Sequence, residues 1–255
     1  MMADANEREG FSAIVLVVVL IAVAAYLLFF GLQTLIYFEA RYWGSREPEL
    51  AVTPQPLNLA TTPVAQSTHL EFFNYQCEAP WKGPAQTSQG PDFIENKFDS
   101  GAAIRVFLPE AQADALKSFK GETPEQQERM TNLFGPHPFD SNFDLYAAIY
   151  SAPPSQASPF MPRVDAERLN TLLLWKLAFD TQLPGGIFRF ESGPNRGLQF
   201  GDPLRSPAVV LRAFNERDRQ FKFLITMKES GSAKLTQNDI NQIITTLKPV
   251  PLPGQ

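Results

Sequence analysis

Two side chains near residue 70 are of the types that nucleophilic chemistry uses, His69 and Cys77 in HLEFFNYQC. An imidazole activates a thiol only within hydrogen-bond reach of it. Read as one strand from His69 to Cys77, the stretch holds the two about 26 Å apart, so pairing needs a tight bend. A free thiol more commonly packs as a small buried hydrophobe, and that is the reading taken for Cys77. As the single cysteine, it forms no intramolecular disulfide and leaves the compartment open. The other histidine, His137, lies between Pro136 and Pro138 without a second ligand type beside it, so no metal site is expected.

The motifs that carry most other chemistries do not occur. The sequence has no G-x-S-x-G elbow, no glycine-rich phosphate loop, no H-E-x-x-H and no EF-hand loop. Nucleotide chemistry is thereby disfavoured, and no cofactor is expected. With 22 Lys and Arg against 27 Asp and Glu, the net charge of −5 gives the chain no overall attraction for nucleic acid.

What remains is suited to recognition. Trp81, in Ala-Pro-Trp-Lys-Gly, either covers the end of a sheet or stands out as an anchor for a protein partner. Between Arg189 and Lys234, basic side chains outnumber acidic ones. Arg189, Arg212 and Lys222 fall on neighbouring expected strands, which makes them, with Trp81, the candidate partner-binding residues. The competing reading is a solvated sheet face of mixed charge.

The stretch that must position all of this is Phe11 to Phe38, which carries no ionisable side chain apart from Tyr26 and Tyr37. As a helix it is about 42 Å long, against a hydrocarbon core of about 30 Å. A transmembrane helix over 11–38 is therefore expected, with Tyr37, Tyr42 and Trp43 as its aromatic belt. Ala22-Val23-Ala24 resembles a signal-peptidase site, but the apolar run continues well past it and an acidic segment precedes it. Arg8 on one side and Arg41 and Arg46 on the other nearly balance, leaning toward a cytoplasmic C-terminal part. Short N-terminal anchors more commonly place that part outside, so a single-pass cell-membrane protein with an extracytoplasmic domain is the expectation.

The order along the chain is then a polar tail at 1–10, the span at 11–38, a Pro- and Thr-rich linker at 39–68 and a folded domain at 69–250. The linker has prolines at 48, 54, 56 and 63 and reads as an extended spacer. Gly101 to Leu108 alternates as a strand. The section 109–185 is helical: Pro109 to Phe119, a helix opened by Thr123-Pro124-Glu125-Gln126, another by Ser141-Asn142-Phe143-Asp144, and a long one from Asp165 to Phe179. Leu169, Leu172, Leu173, Lys176 and Leu177 keep helical spacing in the last. Strands follow at 187–191, 197–201 and 206–214, then at 220–227, where Phe221, Phe223, Ile225 and Met227 alternate with Gln220, Lys222, Leu224 and Thr226. Thr236-Gln237-Asn238-Asp239 opens a closing helix with Ile240, Ile243, Ile244 and Leu247 on one face. The fold class is α+β: one domain of mostly antiparallel sheet covered by helices.

The C-terminal order, GLQFG, the hairpin PAVVLRAF…QFKFLITMKE and then TQNDINQIITTLKP, resembles the end of the PsbP-like α/β/α sandwich. That fold is shared by the photosystem II extrinsic subunit, the Ran-binding import factor of the Mog family and various bacterial lipoproteins. FNYQCEAPWKG resembles its opening. The likeness covers about residues 69–108 and 187–248 and has no counterpart for 109–185. It implies a non-catalytic module that assists a membrane complex by presenting a surface to a protein. The alternative is a small-molecule sensor or hydrolase-like domain with a pocket between the helical section and the sheet. A third reading, compatible with the first, has 109–185 pair two anchored copies.

Overall fold

The computed structural model describes residues 3–108, 115–179, 185–228 and 234–250, with side chains from Val17 onward. Helix α1 (Ala3–Arg46) is longer at both ends than the expected span. Its part from Val17 to Arg46 is long and apolar enough to cross a membrane, and almost none of its most apolar window is buried.

The domain that follows is α+β. Its main sheet has eight strands in the order β1 (Gln55–Pro56), β7 (Ile187–Ser192), β8 (Asn195–Phe200), β9 (Ala208–Phe214), β10 (Gln220–Met227), β6 (Ala102–Phe107), β5 (Phe93–Phe98) and β4 (Pro84–Gln89). All neighbours are antiparallel except β1 and β7. A second sheet joins β2 (Thr68–Phe72), β3 (Tyr75–Ala79) and β11 (Lys248–Pro249).

Alternation along the strands feeds two apolar layers. Ile104, Val106, Val209, Leu211, Phe221, Phe223 and Ile225 meet Leu70, Phe72 and Cys77 of the small sheet and Ile240, Ile243 and Ile244 of α6 (Gln237–Thr246). On the opposite face, Leu198, Phe200, Val210 and Phe214 meet α2 (Ala115–Lys120) and α4 (Asn142–Ser151). Partly buried side chains of α3 (Pro124–Phe134) and α5 (Arg163–Ala178) pack against that second layer. The capping boxes expected at Thr123 and Thr236 form, and Ser141 caps α4. The helix expected to begin at Asp165 instead starts at Arg163, after Pro162. Residues 109–114 of the helix expected from Pro109 lie outside the described residues.

The structure departs from the sequence reading at three places. His69 to Cys77 is two strands: Phe72 pairs with Tyr75 across a two-residue turn, Phe73 and Asn74, both at positive φ. That is the φ signature of a type I′ hairpin turn, which Asn tolerates well and Phe does not. Second, β4 and β5 form a strand pair over 84–98, a stretch for which no element was expected. Third, residues 48–62 are no free spacer. Leu50 is buried, Leu57 and Leu59 pack on the core, and β1 pairs with β7. Asn241 donates to the carbonyls of Asn58 and Ala60, and Asn238 accepts from the Thr62 amide. The prolines hold this segment extended, and the carbonyls of Asn58, Ala60 and Thr62 accept from polar side chains of α6.

The same continuity brings α1 onto the domain. A stripe on α1 at Tyr26, Phe30, Gln33, Tyr37, Ala40 and Gly44 repeats every three or four residues and is wholly or partly buried. Ala40 packs with Ala152, Ala157, Leu169 and Leu173, so α5 and the preceding loop lie along the second half of α1.

Candidate functional site

The strand register lines up the three cationic residues that the sequence singles out. Arg189 opposes Leu198, Leu198 opposes Arg212, and Arg212 opposes Lys222; the row continues to Phe107 and Phe93. Strands about 4.8 Å apart place Arg189 and Lys222 about 14 Å from each other on one face. They do not form one open surface, because α4 lies across the row.

Arg189, on the outer side of α4, is exposed and donates to Glu191 at 2.8 Å, with its guanidinium 5.1 Å from the centre of the Phe143 ring. Arg212 is only 6% exposed. Its Nη1 donates to the Tyr146 hydroxyl at 3.1 Å, and its guanidinium faces the rings of Tyr146 and Phe179. Its Nε has no hydrogen-bond partner among the described residues. Burial pushes the Tyr146 phenol above its ordinary value, outweighing the Arg212 cation, which acts to lower it. Arg212 is thus part of the packed layer, unavailable to a partner in this state.

Lys222 begins the half of the sheet face beyond α4. Its Nζ lies 5.2 Å from the Phe107 ring centre, and the Arg105 guanidinium lies 4.5 Å from that of Phe93. Arg105 donates twice to Glu95, at 2.8 and 3.1 Å, and Lys97 pairs with the other carboxylate oxygen at 3.2 Å. Partial burial raises the Glu95 pKa, but these two cations overcome it and hold the carboxyl below its ordinary range. Phe93, Arg105, Phe107 and Lys222 form a half-exposed aromatic and cationic patch. Only Lys222 of the four was singled out as a candidate; Arg105 and Phe107 lie on the expected strand β6, and Phe93 lies on β5, which no sequence signal marked.

Trp81 is 8% exposed, stacked at a tilt on Phe98, and its carbonyl accepts from Thr68. It covers the edge of the core, leaving little ring surface for a partner, and belongs to the apolar layer on the other face of the sheet from the cationic row. The hairpin does bring His69 and Cys77 near one another, since Cys77 opposes Leu70. Alternation sends them to opposite faces. His69 is exposed between Glu78 and Glu71, at 3.0 and 3.2 Å, which raise its pKa. Cys77 is buried, and desolvation pushes its thiol up to about 12. No thiolate pair forms in this arrangement.

His137 lines a surface depression of about 810 Å³ between α2 and α3, with Lys117, Lys120 and Glu122 on its rim. Among the described residues, no three His, Cys, Asp or Glu side chains converge as metal ligands would. Between the helical section and the sheet, where a pocket was the alternative expectation, the described residues Phe119, Phe143, Tyr146, Ile149, Phe200 and Phe214 pack as one buried cluster.

One group escaped sequence reasoning. Lys176 is 4% exposed, and its Nζ donates to the carbonyls of Leu50 (2.8 Å), Val52 (2.9 Å), Tyr150 (3.0 Å) and Ala152 (3.4 Å). Burial pulls its pKa down to about 8. The signal was present as a lysine at a core-facing position of an apolar helix. Its role is to tie α5 to the end of α4 and to the segment leaving α1. No family model, curated protein or solved structure matches the chain.

Proposed function

We propose that the chain is a membrane-anchored, non-catalytic binding module that presents its α+β domain to a protein of a membrane complex. In this reading α1 crosses the bilayer once and the domain stands on the extracytoplasmic side. The observation that carries it is the seating of the domain on α1: a buried stripe from Tyr26 to Gly44 and the four carbonyls on Lys176 hold domain and helix as one body. Such a body holds the half-exposed patch of Phe93, Arg105, Phe107 and Lys222 in a fixed orientation to the membrane. Aromatic and arginine side chains at a polar rim are the composition that protein interfaces favour. The α+β layering also agrees with the binding role that the PsbP-like resemblance implies.

The test is affinity capture of the full-length protein from detergent-solubilised native membranes, beside Arg105→Glu and Arg189→Glu. One membrane complex retained by the wild type and lost with Arg105→Glu supports a partner at the patch; loss with Arg189→Glu instead moves the contact to the other side of α4. A wild type that retains no stable partner ends the binding-module reading.

A further inference from the structure

The contact between α1 and the loop before α5 sets how deep the domain sits. Residues 17–25 of α1 are exposed on all sides, while the domain-facing side of the helix becomes buried from Tyr26 onward. The first domain residue to meet the helix is Phe160. Its ring centre lies 6.3 Å from that of Tyr26 and 6.0 Å from that of Phe30, both edge-on at 71°. Phe160 is nevertheless 70% exposed, an unusual placement for a large apolar side chain flanked by Pro159 and Met161.

The apolar run of α1 begins at Phe11, and about 20 helical residues fill a hydrocarbon core of about 30 Å. Counted from Phe11, a span of that length ends at Phe30, level with Phe160. Placing the boundary at Tyr37 to Trp43 instead would carry Phe30 about 10–20 Å below it. It would also draw Arg163, three residues past Phe160 and 71% exposed in its side chain, into the hydrocarbon. With the boundary at Phe30, Arg163 falls at headgroup level, and the buried Gln33 amide lies above the lipid, against the domain.

We propose that Phe160 is a second membrane-insertion point, seated in the hydrocarbon edge beside Phe30, so that the domain rests directly on the bilayer. The exposed face of Phe160 is continuous with the lipid-facing surface of α1, which makes the acyl chains its occupant. This rests on α1 being a membrane span.

The test places an environment-sensitive fluorophore on full-length Phe160→Cys, Phe29→Cys and Lys97→Cys in phosphatidylcholine vesicles. Cys77 is 1% exposed and does not compete for the label. Phe29 is an exposed residue of α1 inside the proposed span, and Lys97 is an exposed residue of β5, one strand in from the β4 edge of the sheet. At position 160, iodide quenching is expected to be several-fold weaker than at 97, and acyl-chain quenchers near the headgroup are expected to act more strongly than those near the chain end. Position 160 behaving like 97 while 29 is lipid-quenched overturns the inference and leaves the span standing. Strongest quenching of 160 from the chain end overturns the depth. If position 29 also behaves like 97, the span reading fails and the inference falls with it.

Discussion

Lys176 donates to the carbonyl of Leu50 at 2.8 Å, across 126 residues of sequence. One ammonium therefore satisfies acceptors at the end of α4 and in the segment that leaves α1. An apolar replacement of similar length, Lys176→Met, keeps the packing and strands the carbonyls, each costing about 1–3 kcal/mol if left unpaired. A fall of several degrees in the apparent melting temperature of the detergent-solubilised protein is the expected result. The pH dependence has a fixed sign. With a folded pKa of about 8, below the 10.5 of free lysine, the unfolded chain holds the extra proton between the two values. Stability from this group therefore rises between about pH 8 and 10.5. Lys176→Met removes that slope, and an unchanged slope would show that Lys176 is not its source.

Asp218 makes a comparable tie at the other end of α4. It adopts a positive φ of 57° in the turn between β9 and β10, and its carboxylate accepts from the Asn142 and Phe143 amides. These are orphan donors of the first helical turn, where a negative charge also meets the positive end of the helix dipole. Asp218→Ala is expected to cost about 1–2 kcal/mol, through a lost cap and a β-carbon left in a strained turn without a side-chain bond. Asp218→Asn keeps an acceptor and the tolerance of positive φ, and should recover most of the loss in the same thermal assay. Equal losses for both variants would put the charge, not the hydrogen bonds, in control.

The elements that the sequence makes legible are those whose signal is local. Thr123 with Gln126, Ser141 and Thr236 announce their helices because a cap is satisfied within three residues. The alternation from Phe221 to Met227 marks β10 because one face is buried along its whole length. The misses share the opposite property. The turn at Phe73 carries no glycine or proline, and its conformation is imposed by Phe72 pairing with Tyr75. β4 is an edge strand with almost no buried residue and so carries no apolar alternation; only its pairing with β5 defines it. Leu50, Leu57 and Leu59 read as scattered residues in a proline-rich stretch, since the Arg189 carbonyl that receives the Leu57 amide and the Lys176 ammonium on the Leu50 carbonyl lie over a hundred residues away. For the candidate site, chain position supplied Arg189, Arg212 and Lys222 on neighbouring strands and the α4 helix itself, but not the seating of α4 across their row, which buries Arg212 and parts the other two.

His69 offers a pH test on the exposed side of the small sheet. Hydrogen bonds from Glu78 and then Glu71 raise its pKa above 6.5. The raised folded value means that its stabilising contribution is fully present below pH 6.5 and lost as pH rises through the folded pKa. The group is well exposed, so the effect on overall stability is small, and the titration itself is the better readout. An NMR titration of the imidazole should give a midpoint above 6.5, and Glu78→Gln should lower it more than Glu71→Gln does. The reverse order would place Glu71 as the principal partner.

Ala40 decides between a docked and a tethered domain. Its methyl group, 3% exposed, meets Ala152, Ala157, Leu169 and Leu173. Small residues at this crossing let α1 and α5 approach closely, so Ala40→Trp has nowhere to put its ring. Overpacking of this kind costs about 1–3 kcal/mol. The expected outcome is separation of α1 from α5, read as faster hydrogen exchange across residues 163–178 and as new protease cleavage at 47–62. Phe38 is 63% exposed on the opposite side of α1, so Phe38→Ala is the matched control and should leave both readouts unchanged. Were the segment after α1 a free spacer, neither substitution would alter the domain, because nothing on the helix would bear on α5. Exchange and cleavage that respond to Ala40→Trp alone therefore separate a domain seated on its helix from one hung below it.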